Sequence, residues 1–327
     1  LRILITGGSG FIGSSLARKL VTEHSVITVD LLDKPFAHPN LTHYKTDFRN
    51  ISKDLLEKID VVYHLAARLP VEKLKFGDYL KVNTYGTDDL VTKSVNADVS
   101  RFIFVSSSAV YAGTPGPLSE YSERIPIEPY GKSKLLAEQC CEIAREVEDF
   151  NITIVRPRTV IGKHRLGILY LLMYWIRNNK NVYLIGNGNN RFQLLSLDDL
   201  VDALELMIYR GFYQDFNLGT NRFGTLKEDI SYLISGVGSE SRIVCLPSCV
   251  KYFGRLVDPF IPVAKWHYMT LDRNFYFDIS AARHELKWNP KYSNLDMLLE
   301  SYKTFNVSHK ASVHLSPIDL KILKWLP

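Results

Sequence analysis

Residues 128–134 read Glu-Pro-Tyr-Gly-Lys-Ser-Lys, so Tyr130 and Lys134 stand four positions apart. On a helix, side chains at that spacing share a face, one turn apart. A free phenol ionises near about 10, and a neighbouring ammonium favours its phenolate. Such a pair can handle the proton of a substrate hydroxyl. The same spacing also arises by chance on helix surfaces. Its meaning depends on whether the rest of the chain supplies a cofactor, a third polar group and a substrate cleft.

A cofactor loop opens the chain. Residues 2–6, Arg-Ile-Leu-Ile-Thr, form a buried-strand pattern, and residues 11–23 form an amphipathic helix with Ile12, Leu16 and Leu20 along one face. Between them lies Gly7-x-x-Gly10-x-x-Gly13, one residue longer than the common dinucleotide fingerprint. Gly7 suits a tight turn, Gly10 lets backbone approach a pyrophosphate, and Gly13 lets helix and strand pack closely. The helix start offers free N–H groups and a partial positive charge to that pyrophosphate. The next strand ends at Asp30, whose carboxylate suits ribose hydroxyls and repels a 2′-phosphate. Leu31, Leu32 and Asp33 follow, with no arginine, so NAD is expected over NADP.

These groups need a frame. Strand patterns at 2–6, 25–30, 60–66, 101–107 and 151–157 alternate with helical stretches near 53–58, 78–96 and 131–148. That alternation predicts an α/β fold, a Rossmann-type doubly wound parallel sheet with right-handed crossovers. Residues 195–210 read as a strand end leading into a helix, and 215–219 as a short strand and turn. Segments 160–192 and 222–307 hold many of the aromatics and several prolines. The expected organisation is a cofactor domain from 1–157 and 193–221, with a smaller, discontinuous substrate domain from 158–192 and 222–307. Residues 308–327 form an amphipathic tail expected to pack on the body or a partner.

Bulk properties narrow the class. The 327 residues are 46% hydrophobic and 23% charged, an ordinary globular balance. The net charge of +5 comes from dispersed basic residues, which leaves no footprint for nucleic acid. Cys140, Cys141, Cys245 and Cys249 match neither a metal site nor a disulfide framework. No metal is expected, and a reducing, cytoplasmic setting is. The residues given show no signal-peptide pattern, and no apolar run is long enough for a membrane span.

Several motifs occur together and in order: TGGSGFIG (6–13), DVVYHLAA (60–67), VNTYGT (82–87), FVSSSAVY (104–111) and YGKSK (130–134). Later come VRPRTVIG (155–162), SLDDLVDA (196–203), FNLG (216–219) and FDISAARHELKWNP (277–290). From about 1 to 305 the chain resembles the extended short-chain dehydrogenase/reductase superfamily, in its NAD-dependent epimerase/dehydratase branch. That branch includes UDP-glucose 4-epimerase-like members and has 3β-hydroxysteroid dehydrogenase-like relatives.

The resemblance implies roles. Tyr130 becomes the catalytic acid/base, and Lys134 lowers its pKa and holds the nicotinamide ribose. The substrate-orienting serine lies four residues before the tyrosine of the Val110-Tyr111 pair, at Ser107. Strand alternation turns Ser106 and Ser108 to the other face. Cofactor contacts are implied at Gly7, Gly10, Phe11, Ile12, Gly13 and Asp30, and around the adenine at Asp47 and Phe48. Further ones are implied at Leu65, Ala66, Ala67, Ser106 and Pro157, besides Tyr130 and Lys134. Asn83 is added as a group that positions a helix or a water. Substrate contacts are implied at Arg68, Ser108, Thr159 and Arg191. The superfamily pairs helices corresponding to 84–96 and 131–148 into a four-helix bundle, so a homodimer is expected.

The reaction implied is hydride transfer at a secondary alcohol. Dehydratases place Asp-Glu after the catalytic Ser/Thr, because elimination needs further acid–base groups. Ser108 and Ala109 stand there, which argues against 4,6-dehydration. A nucleotide sugar, epimerised through a transient ketone, is the expected substrate. Two departures bear on it. The usual diphosphate arginine position holds Phe192, with Arg191 one residue earlier, and the asparagine expected after the Arg-Pro strand is Thr159. Residues 250–271 are rich in aromatics and aliphatics, which suits an alternative, a dehydrogenase of a hydrophobic alcohol such as a steroid or isoprenoid. A non-catalytic NAD-binding regulator is a third reading, disfavoured because both Tyr130 and Lys134 are present.

Overall fold

A computed structural model describes residues 1–70, 74–162, 169–209, 213–249 and 272–305. The apolar segment 250–271 and the tail 308–327 lie outside the described residues. Seven parallel strands form one sheet in the order β10-β6-β5-β4-β1-β2-β3. They are β1 (Arg2–Thr6), β2 (Ser25–Asp30), β3 (Leu41–Lys45), β4 (Val61–His64), β5 (Arg101–Val105), β6 (Ile152–Pro157) and β10 (Asp215–Leu218). The order runs outward from β1 in both directions, which is the doubly wound pattern. Its central strands are buried on both faces, as in β1 and β4, so they read as unbroken apolar runs.

One strand escaped the sequence pattern. β3 pairs in register with β2 from Leu41↔Val26 to Lys45↔Asp30. Of its five residues only Leu41 is buried, so it carries almost no apolar signal. The helix predicted over 78–96 is also broken. It comprises α3 (Phe76–Tyr79), a π-type turn (Leu80–Thr84) and α4 (Tyr85–Val95). The strand predicted over 101–107 stops at Val105. Ser107 continues in extended backbone, and its Oγ accepts from Ala109 N to start a 3₁₀ turn over Ser108–Tyr111.

Two apolar layers cover the faces. One packs α1 (Phe11–Leu20) and α7 (Leu197–Leu206) over Ile3, Ile5, Tyr63 and Ile103. The other packs α4 and α5 (Pro129–Val147) over Leu4, Val62, Phe102 and Ile154. A separate cluster joins α6 (Leu169–Arg177), β8 (Val182–Ile185), α8 (Leu226–Gly236) and the C-terminal helix α10 (Asn294–Thr304). There β8 pairs with β11 (Ile243–Leu246), while β7 (Thr159–Ile161) pairs with β9 (Leu194–Ser196).

Two motifs bind these layers together. Asp199 of α7 accepts from Lys291 N and Tyr292 N, and its carbonyl accepts from Trp288 Nε1. Gln193 accepts from Phe277 N and donates to Thr220 O.

Candidate active site

The site gathers at the C-terminal ends of β1, β2, β4, β5 and β6. Gly7 adopts φ +70°, the left-handed region where a side chain is strained. A Cβ on Gly13 would lie 2.2 Å from Gly7 O, so only glycine lets α1 close on the loop. Gly10 occupies the N-cap of α1 without a side-chain cap, and the first turn carries no acid. A helix start of this kind suits an anion, with no side-chain cap or acid competing for it. Asp30, at the tip of β2, accepts from Ser9 N and Leu32 N, which pins its carboxylate beside the loop. Ser106 is buried, and its Oγ has no hydrogen-bond partner among the described residues. This cradle and this orphaned hydroxyl fit a dinucleotide.

Asp47, expected near the adenine, caps a short 3₁₀ turn (Phe48–Asn50) by accepting from Arg49 N. Arg49 pairs with it at 2.6 Å, which holds its carboxyl below the usual range. Phe48 is buried against His64, ring centroids 4.9 Å apart, and so belongs to the core as much as to the cleft. Leu65, Ala66 and Ala67 continue from β4 and are half-buried.

Helix α5 carries Tyr130 and Lys134. Pro129 is its first residue, pre-set for a helix start. Tyr130, Ser133, Lys134, Ala137, Glu138 and Cys141 then form its buried face. A Cβ on Gly131 would sit 2.7 Å from Ala109 O, so glycine there lets α5 press onto the 3₁₀ turn that follows Ser107. The ring of Tyr79 stands edge-on to that of Tyr130, centroids 6.2 Å apart.

Lys134 is 2% exposed. Its Nζ donates to Val105 O at 2.8 Å and lies 4.1 Å from the centre of Phe104. Burial pushes its pKa down to about 8, opposed by the Glu138 carboxylate one turn on. Of the three serines, Ser107 is the one partly exposed, whereas Ser106 and Ser108 are buried.

Sequence reading missed what holds this pair in place. Asn83, on the π-type turn, accepts from Arg68 N and donates to Arg68 O and Ser133 Oγ. Thr84 Oγ1 donates to Ser133 O, and Ser133 Oγ to Tyr130 O. The turn thus ties the first turn of α5 to the loop after β4. Behind it, the fully buried His64 meets Thr6 Oγ1 through Nδ1 at 2.6 Å and Thr87 Oγ1 through Nε2 at 2.9 Å. Thr87 donates to Asn83 O, so it accepts from Nε2–H, which leaves Nδ1 to accept from Thr6. Burial, with the nearby Lys134 charge, lowers the His64 pKa to about 3.

The substrate side is less closed. Arg68 is exposed, with its backbone gripped by Asn83. Arg191 is exposed too, donates to Phe223 O and lies over the Phe223 and Tyr276 rings at 4.6 and 5.2 Å. Phe192 turns inward instead, its ring 5.0 Å from the guanidinium of Arg158. Thr159 Oγ1 is buried without a partner. Two arginines escaped the sequence reading. Arg273 donates to the carbonyls of Ala112 and Gly113, just beyond the 3₁₀ turn. Arg158, next to Pro157, is fully buried, and burial brings its pKa down to about 9. An arginine after Arg-Pro carries no periodic signal. Its burial depends on residues distant in the chain.

A parallel doubly wound sheet, a glycine cradle at its first turn and a buried Tyr-x-x-x-Lys pair define a nucleotide-dependent oxidoreductase of the Rossmann class. The model of the NAD dependent epimerase/dehydratase family matches residues 3–219. The chain belongs to that family, within the extended short-chain dehydrogenase/reductase superfamily, and NAD is its cofactor.

It is 34% identical over 339 residues to the uncharacterized protein y4nG of Sinorhizobium fredii, covering 99% of this chain and 85% of that one. It is 30% identical over 265 residues to the dTDP-D-glucose 4,6-dehydratase of Mus musculus, covering 73% and 75%. The solved UDP-glucose 4-epimerase of Thermotoga maritima, with UDP-glucose, superposes with a TM-score of 0.74 at 26% identity, covering 93% and 98%. Homologues thus support an NAD-dependent enzyme of the epimerase/dehydratase type.

Among the described residues no group of three or more His, Cys, Asp and Glu could hold a metal. No helix among them is long and apolar enough to cross a membrane.

Proposed function

We propose that this chain epimerises a nucleotide sugar by oxidation and reduction at one secondary alcohol. The observation that carries the reading is Lys134. It is buried, held by Val105 O, and one turn from Tyr130 on the helix pressed against Ser107. Bound in the glycine cradle, NAD supplies the hydride acceptor and donor. Ser107 orients the reacting oxygen. Tyr130 removes the hydroxyl proton and returns it, and the Lys134 charge favours the phenolate. Asn83 and Thr84 position Tyr130 through Ser133. Gly7, Gly10, Phe11, Ile12, Gly13, Asp30 and Asp47 hold the dinucleotide, with Phe48, Leu65, Ala66, Ala67, Ser106 and Pro157 lining it. Arg68, Ser108, Thr159 and Arg191 are proposed on the substrate side. Residues 158–192 and 222–307 are proposed as the substrate domain.

Elimination of water needs acid–base groups beside the catalytic serine, and the residues there, Ser108 and Ala109, are buried and carry no carboxyl group. This supports epimerisation over 4,6-dehydration. The test is to incubate the NAD-loaded protein with UDP-glucose, UDP-glucuronate and a hydrophobic secondary alcohol. Sugar products are followed by NMR and reduced NAD by absorbance. Interconverted epimers without net reduced NAD are the expected result. Net reduced NAD with the hydrophobic alcohol, and no sugar converted, would replace this reading with an alcohol dehydrogenase.

A cytoplasmic homodimer is part of the proposal. Leu136, Ile143 and Val147 form an exposed apolar stripe along the outer face of α5, with Tyr85 exposed on the neighbouring α4. That pattern suits a helix-to-helix interface. Ile143→Glu is expected to shift the mass in solution, by light scattering, from two chains to one. An unchanged mass would place any dimer elsewhere.

A further inference from the structure

We propose that Arg158 is the receptor for an anionic group on the substrate and so determines which substrates the site accepts. The shared chemistry is a planar oxyanion fork, found either in a sugar carboxylate or in phosphoryl oxygens. The inference rests on the nucleotide-sugar reading above and names the residue that would read the substrate's charge.

Arg158 follows Pro157 at the C-terminal end of β6, the strand beside β5, whose end leads into Ser106 and Ser107. The residue is 1% exposed, yet Nε, Nη1 and Nη2 all lack a hydrogen-bond partner among the described residues. Arg156, two residues earlier and as deeply buried, is the natural comparison. Its guanidinium has Glu138 at 2.9 Å, Asp215 at 2.5 Å and the Tyr111 hydroxyl at 3.1 Å. Among the described residues, Arg156 in β6 thus has counter-charges, and Arg158 just after the strand has none.

What surrounds Arg158 is aromatic. Its Cζ lies 4.2 Å from the centre of Phe275, 5.0 Å from Phe192 and 5.7 Å from Phe277. Ring faces attract a guanidinium through its plane. They leave the N–H donors along its edge unused, and those donors match the two oxygens of a carboxylate or phosphoryl group. Phe277 in turn stands edge-on to Tyr111, at 5.8 Å, in the 3₁₀ turn that starts from Ser107. The neighbouring Thr159 Oγ1 is also without a partner. A buried charge with no partner is destabilising, and an apolar side chain of similar length would relieve it. Its presence is explained if the counter-ion arrives with the substrate.

The test uses the full chain loaded with NAD, as wild type, Arg158→Met and Arg158→Lys. Affinities are measured by calorimetry for UDP, UDP-glucose and UDP-glucuronate, and Tm is measured without them. Arg158→Met is expected to keep or raise Tm and to weaken anion recognition by roughly tenfold or more. If the carboxylate is the group read, only UDP-glucuronate weakens. If the phosphoryl oxygens are, all three weaken alike. Unchanged affinity for every probe overturns the proposal whatever happens to Tm, because the arginine is then a core residue only.

Should the methionine variant not fold, Arg158→Lys decides. It keeps the charge but not the fork, and a several-fold loss is expected, whereas wild-type affinity overturns the proposal. If the wild type binds none of the three, the nucleotide-sugar reading fails separately. Inorganic pyrophosphate and free glucuronate then settle Arg158. A rise in wild-type Tm that Arg158→Met lacks supports it, and no rise in the wild type refutes it.

Discussion

Around β1 and β4, buried polar side chains form a closed chain. Thr6, His64, Thr87 and Asn83 pass hydrogen bonds from one to the next and end on the backbone of Arg68. Around the end of β6 and the segment leading to Phe192, Arg158, the half-buried Thr159 and Asn190 carry buried polar atoms with no hydrogen-bond partner among the described residues. Strands β1, β4 and β6 belong to one parallel sheet. The first is complete as protein, which suits a wall that must hold Tyr130 and a cofactor loop at fixed distance. The second keeps polar atoms unpaired among the described residues, which fits the anion site proposed for Arg158. Unpaired buried polar groups are rare in native proteins, so the three unpaired nitrogens of Arg158 are informative.

The largest effect should come where the closed side meets the reaction. Tyr130→Phe removes only a hydroxyl and should lower kcat by about 10²- to 10⁴-fold, with Tm and NAD affinity unchanged. Single-turnover kinetics on the substrate identified above would check it, and retained turnover would detach Tyr130 from the chemistry. Next, Asn83→Ala should destabilise the fold by about 1–3 kcal/mol, because Arg68 N and Ser133 Oγ lose a buried partner. Denaturant unfolding measures this, and a fall in kcat should accompany it as Tyr130 loses its support.

His64 sharpens the comparison through pH. Its folded pKa, about 3, lies below its ordinary 6.5, so the unfolded chain binds a proton that the folded chain refuses. Stability from this group is therefore full above 6.5 and is lost as pH falls towards 3, at up to about 1.4 kcal/mol per unit. His64→Gln should flatten the acid limb of Tm against pH over that window. The smallest effect is expected on the open side. Asn190→Ala removes an amide with no partners and should change stability by within about 0.5 kcal/mol. A loss as large as that of Asn83→Ala would erase the contrast between the two regions.

Much of the cofactor half was legible because local chemistry dictates it. A loop with Gly7 in the left-handed region and Gly13 against Gly7 O needs those residues whatever surrounds it. Buried parallel strands need apolar runs, so β1, β2, β4, β5 and β6 announced themselves. The edge strand β3 did not, since one buried residue in five leaves no periodicity. The π-type turn was hidden inside an apparently continuous helix, and with it the reason for Asn83. Arg191 attracted notice as a cation near an expected position, but its guanidinium lies on Phe223 and Tyr276.

The residues alone determined a nucleotide cradle, a Tyr130–Lys134 pair on one helical face and a parallel α/β frame, because each is set by neighbours within a few positions. Only the tertiary structure decided that Lys134 is dehydrated against Val105 and Phe104, and that Arg158 is buried among three phenylalanines. Dehydration and pairing depend on what long-range packing brings near. A charge has the same letter in the sequence whether it meets a carboxylate, a ring or a place left for a ligand.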